Sequence, residues 1–371
     1  MITASVGAYF LEFKINESRK NISSDFSFMN LTSELGNTFS SGSIQSFSIN
    51  ESAILLAGVG YYNRSTGYNL PSLMKLNSTN PSAIGEPMMS VAEKYFHNGT
   101  IFGSAWNGSA WMLTGESYNG VIDGGGAIII SGDVITNLTP QIEPYFNLGG
   151  AWFDAWNGTG WLIGGNNDKQ AALVGLYHDK VINYTPLLGK LPMRSWIQLI
   201  VWNGTSWLIG GYQIFGFLTS GKYIDMLQKT EFLNSGVLAA SFVNHRWYIG
   251  GGPPAGIQVL YPNGTTNTIQ MPSYFNKWVN GITCYKGYFL VGGEAAPNSF
   301  EICPALYAIN ISAKEEMFCN LTSLLPSSFK HGQIQFIAYI QFKGVSGVMI
   351  AGQGSYNTST GYSKGALSLM S

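Results

Sequence analysis

Few side chains of this 371-residue chain are placed to do chemistry, and the most suggestive ones are carboxylates. Glu116 directly follows Thr114-Gly115, and Glu294 directly follows Gly292-Gly293. Two carboxylates on one surface could act as general acid and base or bind a hard cation, and the alternative for both is an ordinary solvated loop residue. A third acid, Asp154, falls within an apolar run, where a hydrogen-bonding role competes with catalysis.

The other side chains with chemical potential do not converge on a known kind of site. His97, His178, His245 and His331 lie far apart and lack the spacing of zinc ligands. The sequence contains no nucleophile elbow, phosphate-binding loop or dinucleotide fingerprint. Gly124-Gly125-Gly126 is interpreted as a loop because no helical pattern follows it. We therefore predict no metal and no cofactor, and we expect binding in preference to catalysis.

The composition limits the range of partners. Charged residues make up 11% of the chain and the net charge is −1, whereas soluble domains usually carry about 25% charged residues. This balance creates no field that would attract nucleic acid or an anionic membrane. No apolar run approaches the length of a membrane span, and the first ten residues lack the pattern of a signal peptide. We expect no nucleic-acid partner and no transmembrane segment.

Acceptor sequences for N-linked glycans are unusually frequent. With 29 Asn and 59 Ser or Thr in the chain, chance gives about five Asn-x-Ser/Thr sequons. The 16 sequons begin at Asn16, Asn21, Asn30, Asn50, Asn63, Asn77, Asn98, Asn107, Asn137, Asn157, Asn183, Asn203, Asn263, Asn310, Asn320 and Asn357. Hairpin-turn chemistry alone accounts for the five in which Gly follows Asn. The excess predicts a heavily glycosylated extracellular protein with N-linked glycans as its attached partners.

The low charge suits acidic surroundings. Carboxylates lose their charge as the pH falls through about 4, so a protein in acid gains little from them. Glycans can supply hydration instead. These features lead to the hypothesis of an acidophile's outer surface, archaeal rather than eukaryotic.

Three cysteines lie in the last third of the chain. Segments 304–311 and 315–319 resemble a hairpin, and in that register Cys303 lies nearly opposite Cys319. We predict a cross-strand disulfide between them, with Cys284 buried and free. The alternative is three unpaired, buried thiols.

Pairs of small residues recur at the ends of apolar runs, at intervals of 40 to 59 residues. The seven doublets are Ala57-Gly58, Thr114-Gly115, Gly164-Gly165, Gly210-Gly211, Gly250-Gly251, Gly292-Gly293 and Ala351-Gly352. Hairpin turns of the type Trp-Asn-Gly, at Trp106, Trp156 and Trp202, precede three of them. A repeat of this length with a hairpin in each unit predicts an all-β fold: a seven-bladed β-propeller of four-stranded antiparallel blades.

Each blade is interpreted as four strands, called a to d from the axis outward. In the third blade we expect them at 150–156, 160–164, 171–177 and 181–186, and in the fourth at 196–202, 206–210, 222–226 and near 229–233. The two ends of the chain repeat each other, since 57–68 matches 351–362 and 30–35 matches 320–325.

We therefore expect one domain, 1–371, in which residues 1–35 pair with 333–371 in a closing blade made from both termini. One strand, either 6–15 or 364–370, would be left over for a neighbouring copy.

The repeat length, the Gly doublets and the Trp-rich units resemble kelch-type propellers, and more closely the glycosylated propeller repeats of archaeal cell-surface proteins. The resemblance covers nearly the whole chain. It implies a propeller at the cell surface. Kelch repeats carry Tyr and Trp after the Gly pair, whereas Trp111, Trp161, Trp207 and Trp247 precede it here.

Propeller geometry separates the sequons from the remaining surface. Nine sequons map to the face formed by the a–b and c–d turns, four to the outer strands d, and three to the opposite face. A face dense in glycans is a poor docking surface, so we expect binding at the opposite face, which the b–c and d–a loops form. The residues that follow the doublets would surround the channel mouth there: Glu116, Asn166, Tyr212, Pro253, Glu294 and Gln353.

These features predict a secreted or surface-attached glycoprotein that acts in binding, adhesion or extracellular assembly, as in a filament or envelope. Its partners would be other surface proteins or copies of itself. The alternative is an extracellular hydrolase or lyase acting on polysaccharide. That activity requires two carboxyls about 5 to 9.5 Å apart, taken from Glu116, Glu294 and Asp154.

Overall fold

A computed structural model describes residues 22–63, 65, 67–77, 85–118, 123–232, 235–253, 256–298, 301–310, 317–357 and 362–371. These residues form seven four-stranded sheets, and every strand pair within them is antiparallel. Strands a of successive blades contact one another around a closed ring. The all-β, seven-bladed propeller predicted from the doublets is confirmed.

The strands follow in the order a, b, c, d along the chain. The first blade contains β2 (Ser43–Ile49), β3 (Ile54–Asn63), β4 (Tyr68–Leu76) and β5 (Glu86–Pro87). The second blade contains β6 (Thr100–Trp106), β7 (Trp111–Tyr118), β8 (Asp123–Ser131) and β9 (Val134–Asn137). The third blade contains β10 (Gly150–Trp156), β11 (Trp161–Asn166), β12 (Ala171–Tyr177) and β13 (Lys180–Asn183). The fourth blade contains β14 (Trp196–Trp202), β15 (Trp207–Tyr212), β16 (Ile214–Thr219) and β17 (Lys222–Asp225). The fifth blade contains β18 (Val237–Val243), β19 (Arg246–Gly251), β20 (Gly256–Leu260) and β21 (Thr266–Gln270). The sixth blade contains β22 (Trp278–Tyr285), β23 (Tyr288–Asn298), β24 (Glu301–Asn310) and β25 (Met317–Asn320).

Strands from both ends of the chain close the ring. The seventh blade takes strands a, b and c from β26 (Gln333–Phe342), β27 (Val345–Asn357) and β28 (Tyr362–Met370), and strand d from β1 (Phe28–Asn30). Ser27 and Ser371 extend this ladder, because the amide of each donates to the carbonyl of the other at 3.0 Å. Segment 364–370, predicted as a candidate surplus strand, is therefore an interior strand of the blade, whereas 6–15 lies outside the described residues.

Short helical turns join strand d to the next strand a. Among the described residues there are two α-helices of eight residues each, α1 (Met89–Phe96) and α2 (Thr139–Phe146), and four other connections carry 3-10 turns such as Thr185–Leu188. The connections insert a fully buried phenylalanine between blades: Phe39, Phe96, Phe146, Phe275 and Phe329, with Phe232 nearly as buried. Among the described residues no helix is long and apolar enough to span a bilayer.

The doublets mark a β-bulge that occurs in all seven blades. In the fourth blade Ile197 pairs with Gly211 and Leu199 pairs with Gly210, so Gln198 between them has no partner. A Cβ on Gly211 would lie 2.0 Å from the Trp196 carbonyl oxygen of its own blade. A Cβ on Gly210 would instead lie 2.8 Å from Val237 of the next blade. The absence of a side chain at the second glycine therefore allows the bulge, and the size of the residue at the first position determines how closely neighbouring blades pack.

Two sequence predictions within the blades are wrong. In the fourth blade, the segment predicted as strand c, 222–226, contains strand d (Lys222–Asp225) instead, because a one-residue turn at Gln213, with φ 56°, joins β15 directly to β16. The predicted fourth strand near 229–233 instead begins within the 3-10 turn Leu227–Lys229.

The predicted Cys303–Cys319 disulfide is also wrong. Cys319 lies opposite Ala308, whereas Cys303 lies opposite Ala295 on the other edge of the same strand. Positions 303 and 308 are five residues apart along the strand, a separation of about 16 Å in extended backbone, far beyond the reach of a disulfide. None of the three cysteines forms a disulfide, and burial raises the pKa of the Cys284 thiol to about 12.

Candidate functional site

The seven bulges place one residue per blade around the propeller axis. The unpaired residues are Gln45, Phe102, Trp152, Gln198, Leu238, Asn280 and Gln335. All seven line a single cavity of about 320 Å³, which we call the axial cavity. A bulge redirects a side chain that would otherwise alternate with the pleat. The repeat thus builds a ring of seven variable side chains on a constant backbone.

The ring has two chemically different sides. The aromatic residues Phe102 and Trp152 are contributed by the adjacent second and third blades, and their ring centroids lie 6.1 Å apart. The amides of Asn280, Gln335 and Gln45 come from the consecutive sixth, seventh and first blades.

Two of the amides are held in place. Asn280 donates its Nδ2 to the Ile334 carbonyl at 2.9 Å, and Gln45 donates its Nε2 to Ser43 Oγ at 2.7 Å. Each keeps a carbonyl oxygen for the cavity. Among the described residues Gln198 and Gln335 form no side-chain hydrogen bond, so both of their amide groups remain available.

Three buried polar atoms at the axial cavity have no hydrogen-bond partner. They belong to Ser46, Ser104 and Asp154 on the first, second and third blades. The two serines are only 4% and 8% exposed. Leaving a buried polar group unsatisfied costs about 1–3 kcal/mol, so three of them on adjoining blades are a costly arrangement for folding alone.

Asp154 bridges the seam between the second and third blades. Its Oδ1 accepts a 2.9 Å hydrogen bond from Thr114 Oγ1, whereas its Oδ2 is the unsatisfied atom. A Cβ on Gly103 would lie 2.3 Å from the carboxylate, so the absence of a side chain at 103 makes room for it. Burial raises the pKa of Asp154 to about 8, and the Thr114 hydrogen bond only partly opposes this. Asp154 is therefore a neutral carboxylic acid over most of the acidic and neutral range.

A second cavity, the mouth cavity, opens above the ring on the face of the b–c and d–a loops. It has a volume of about 590 Å³ and shares Gln198, Leu238, Asn280 and Gln335 with the axial cavity. Its upper wall is formed by residues that flank the bulges: Trp196, Tyr212, Trp278, Glu294 and Gln333. The two cavities thus meet at the bulge residues of the fourth to seventh blades.

Aromatic side chains connect the two cavities across the blades. Trp196 stacks on Tyr212, with ring centroids 4.6 Å apart and an angle of 22° between the planes. Trp152 meets the edge of Trp196 at 6.2 Å. The Trp196 Nε1 is a buried donor without an acceptor.

The six residues predicted to surround the mouth occupy different environments. Tyr212, Pro253 and Glu294 line the mouth cavity, although Gly252, and not Pro253, directly follows its doublet. Gln353 accepts a 3.2 Å hydrogen bond from Gln333, which lines the cavity. Asn166 accepts one from the Gly150 amide at 3.1 Å. Such a bond stabilises the start of strand a.

The two predicted mouth carboxylates differ in role. Glu116 accepts a 2.7 Å hydrogen bond from Trp152 Nε1 and so orients that indole toward the axial cavity. Glu294 is 9% exposed and has no hydrogen-bond donor among the described residues. Burial raises the pKa of Glu294, and the charge of Lys277 partly opposes this. Among the residues described, no three of His, Cys, Asp and Glu lie together as a metal site would require.

The sequon asparagines form turns. Asn50, Asn107, Asn157 and Asn203 each use Oδ1 to accept the backbone amides of the second and third following residues in an a–b turn. Asn263 accepts the Thr265 amide in a c–d turn. These bonds leave the Nδ2, the atom to which a glycan would be attached, unused.

A second group of sequons has a structural role that the hairpin explanation does not cover. Asn30, Asn137, Asn183 and Asn320 end strand d, and each accepts the amide of the Thr two residues later. The hydroxyls of these threonines exchange hydrogen bonds with strand c, as Thr185 does with Leu173. Hydrogen bonds in turns and at the ends of strands d therefore explain the asparagine of nine sequons. Asn16 and Asn21 lie outside the described residues.

Sequence reasoning missed the residues at the centre of the site. Gln45, Gln198, Asn280 and Gln335 lie in apolar runs without any local mark of function. One signal could have located them: each stands two residues after the start of strand a, in the run that precedes a Gly doublet. The phenylalanine four residues before most strands a marks that start.

Comparison with known proteins identifies the fold alone. No family model matches the chain, and no curated protein matches it. A structure of YCF48 bound to a D1 peptide superposes with a TM-score of 0.56 at 12% identity, covering 98% of both chains. Sqt1 from Chaetomium thermophilum has a TM-score of 0.49 at 8% identity, covering 90% of this chain and 86% of its own. An α-L-arabinofuranosidase from Clostridium thermocellum has a TM-score of 0.36 at 10% identity, covering 75% and 97%.

Proposed function

We propose that this propeller is a secreted or surface-attached N-glycosylated protein that binds a partner through its mouth cavity, in adhesion or in extracellular assembly, without catalysis. The observation that carries this proposal is the continuous path from the mouth cavity to the axial cavity, with Trp196 and Tyr212 beside it. Concave sites with apolar walls and a few convergent polar groups are typical of ligand binding.

The distribution of acidic groups supports binding over catalysis. Among the described lining residues, the mouth cavity has one carboxylate, Glu294, and the axial cavity has one, Asp154. Hydrolysis of a glycoside by the common mechanism needs two carboxyls that face one substrate. Propellers of known structure include a peptide-bound protein, YCF48. This is compatible with binding and does not define the partner of this chain.

One observation favours hydrolysis as a second candidate. Glu116 and Asp154 both lie at the seam between the second and third blades, because Glu116 accepts a hydrogen bond from Trp152 and Asp154 accepts one from Thr114. Residues 114 and 116 of one strand lie about 7 Å apart on the same face. A polysaccharide hydrolase would use Asp154 as general acid and Glu116 as base, and Glu116→Gln would then abolish turnover while binding persisted.

The sequon positions support the surface part of the proposal. The exposed or half-buried Asn50, Asn107, Asn157 and Asn263 belong to turns on the face opposite the mouth. Glycans there would leave the mouth open. Glycopeptide mapping of protein from its native source tests this directly. Unoccupied sequons throughout would contradict the glycoprotein and would leave only the binding proposal.

The binding function is tested on arrays of extracellular glycans and synthetic peptides. The wild-type protein is compared with Tyr212→Ala and with Ile224→Thr, a control at a 49% exposed position on strand d of the same blade. We expect a captured polymer to be lost with Tyr212→Ala and retained with Ile224→Thr. Binding that both variants retain, or cleavage of the captured polymer, would contradict non-catalytic binding at the mouth.

A further inference from the structure

We infer that the axial cavity binds a neutral saccharide unit, with one sugar ring inserted between the aromatic pair and the amide side of the bulge ring. The inference rests on the proposed binding function and names the chemical class of its ligand. It is carried by Ser46, Ser104 and Asp154, three residues that line this cavity and that each hold a buried polar atom without a hydrogen-bond partner.

The chemistry of the lining selects a neutral, polar ligand. No Lys or Arg is among the described residues that line the axial cavity, and its one acid already holds one oxygen against Thr114. The amides of Gln198 and Gln335 each offer both a donor and an acceptor, as the serine hydroxyls do. Hydroxyl groups, which both donate and accept, complement such a surface.

The arrangement of the lining distinguishes a ring from a linear chain. Phe102 and Trp152 offer flat apolar surfaces on the second and third blades, and the amides of Asn280, Gln335 and Gln45 line the arc that runs from the sixth blade, across the axis, to the first blade beside Phe102. A pyranose has an apolar C–H face and hydroxyls around its rim, so it can contact both sides at once. A peptide carries its polar groups along a line and would satisfy fewer of these positions. A volume of about 320 Å³ lies at the small end of ligand pockets.

The mouth cavity extends the same site. Trp196, Tyr212 and Trp278 line the path to the exterior and could stack on further sugar units. We therefore expect a terminal sugar to lie in the axial cavity and the rest of the glycan to extend out through the mouth cavity.

The test measures binding of D-glucose, D-galactose, D-mannose and N-acetyl-D-glucosamine by calorimetry and tryptophan fluorescence. Sorbitol and triglycine serve as linear comparisons. We expect at least one ring sugar to bind with a Kd of about 1 mM or tighter. Ser46→Ala and Ser104→Ala should each weaken that binding by about three- to tenfold, the usual effect of one hydrogen bond.

Ser48→Ala is the matched control. Ser48 lies on the same strand as Ser46 and is 1% exposed with an unsatisfied hydroxyl, but it does not line the axial cavity. It should leave sugar affinity unchanged. All three variants lose only an unsatisfied hydroxyl, so their melting temperatures should equal or exceed that of the wild type.

The outcomes separate this inference from the proposed function. Triglycine binding without sugar binding would overturn the saccharide and leave the binding function intact. Sugar binding that Ser46→Ala and Ser104→Ala do not affect, or that Ser48→Ala weakens equally, would overturn the axial position. No binding to the panel and none on the arrays would contradict both proposals.

Discussion

Thr114 donates a 2.9 Å hydrogen bond to Asp154 across the seam between the second and third blades. At the corresponding seams of the third to sixth blades a glycine replaces Thr114, and aliphatic residues such as Ile200 replace Asp154. Gly103 leaves space for the carboxyl group. Thr114, Asp154 and Gly103 together place one acid in an otherwise apolar seam beside the axial cavity.

This acid should make the fold most stable at low pH. An unfolded aspartate releases its proton near pH 4, whereas folded Asp154 holds it to about pH 8. Between these values the folded chain binds a proton that the unfolded chain has lost, so stability falls as the pH rises, by up to about 1.4 kcal/mol per unit. Urea unfolding from pH 4 to 9 should show this fall, and Asp154→Asn should reduce its slope.

Glu34 provides an independent check on the same effect. It is 1% exposed, with one unsatisfied oxygen, and burial raises its pKa to about 7. Glu34→Gln should remove the part of the pH dependence that ends near pH 7 and leave the part due to Asp154. A stability optimum well above pH 6 in the wild type would contradict both assignments and the acidic habitat hypothesis.

The two glycines of a doublet should differ in their tolerance of alanine. Gly211→Ala puts a Cβ 2.0 Å from the Trp196 carbonyl oxygen, and we expect a loss of about 3 kcal/mol or more. Gly210→Ala meets the side chain of Val237 at 2.8 Å and should cost about 1–3 kcal/mol. Denaturant unfolding of both variants checks the order. Equal losses would mean that the bulge does not require the second glycine.

Ring closure can be tested with an engineered disulfide. Ser27 and Ser371 form a hydrogen-bonded pair, a geometry with Cα atoms about 5.5 Å apart that suits a disulfide. Ser27→Cys with Ser371→Cys should raise the free energy of unfolding by about 4 kcal/mol when oxidised and not when reduced. Ser371→Cys alone controls for the three native thiols. Failure of the pair to oxidise would place the termini in different blades.

Equivalent sequons should differ in glycan occupancy. Asn157 and Asn203 form the same a–b turn in neighbouring blades, but Asn203 is only 8% exposed. We expect glycopeptides at Asn157 and an unmodified peptide at Asn203. Asn157→Asp removes the acceptor while keeping the Oδ1 that closes the turn, so it should lose the glycan with little change in melting temperature. Full occupancy of Asn203 would contradict this turn geometry.

The sequence revealed the fold because each blade repeats local signals. Strands 150–156 and 196–202 were predicted with the bounds that the structure has, since a Trp-Asn-Gly turn ends each of them. The one-residue turn at Gln213 carries no such signal, and strand c of the fourth blade was missed for that reason. The cysteine pairing was mispredicted because β24 pairs Cys303 with β23 on one side and Ala308 with Cys319 of β25 on the other, a relationship between three strands that no local signal marks.

The candidate site was only partly predictable. Positions after the doublets could be assigned to the mouth because strand direction follows from chain order. The bulge residues that line the axial cavity could not be predicted, because a bulge depends on how two strands pair and not on the sequence of one strand. Gln198 looks like an interruption of an apolar strand until Gly210 and Gly211 are seen to pair on either side of it.

The most direct test of ligand binding at the mouth is hydrogen exchange of the wild-type protein with and without the polymer it captures. We expect slower exchange at 196–198, 212, 278–280 and 333–335, the segments that line the mouth cavity. The a–b turns near Asn157 and Asn203 should exchange at unchanged rates. Protection confined to those turns, or to the outer strands d, would contradict binding at the mouth.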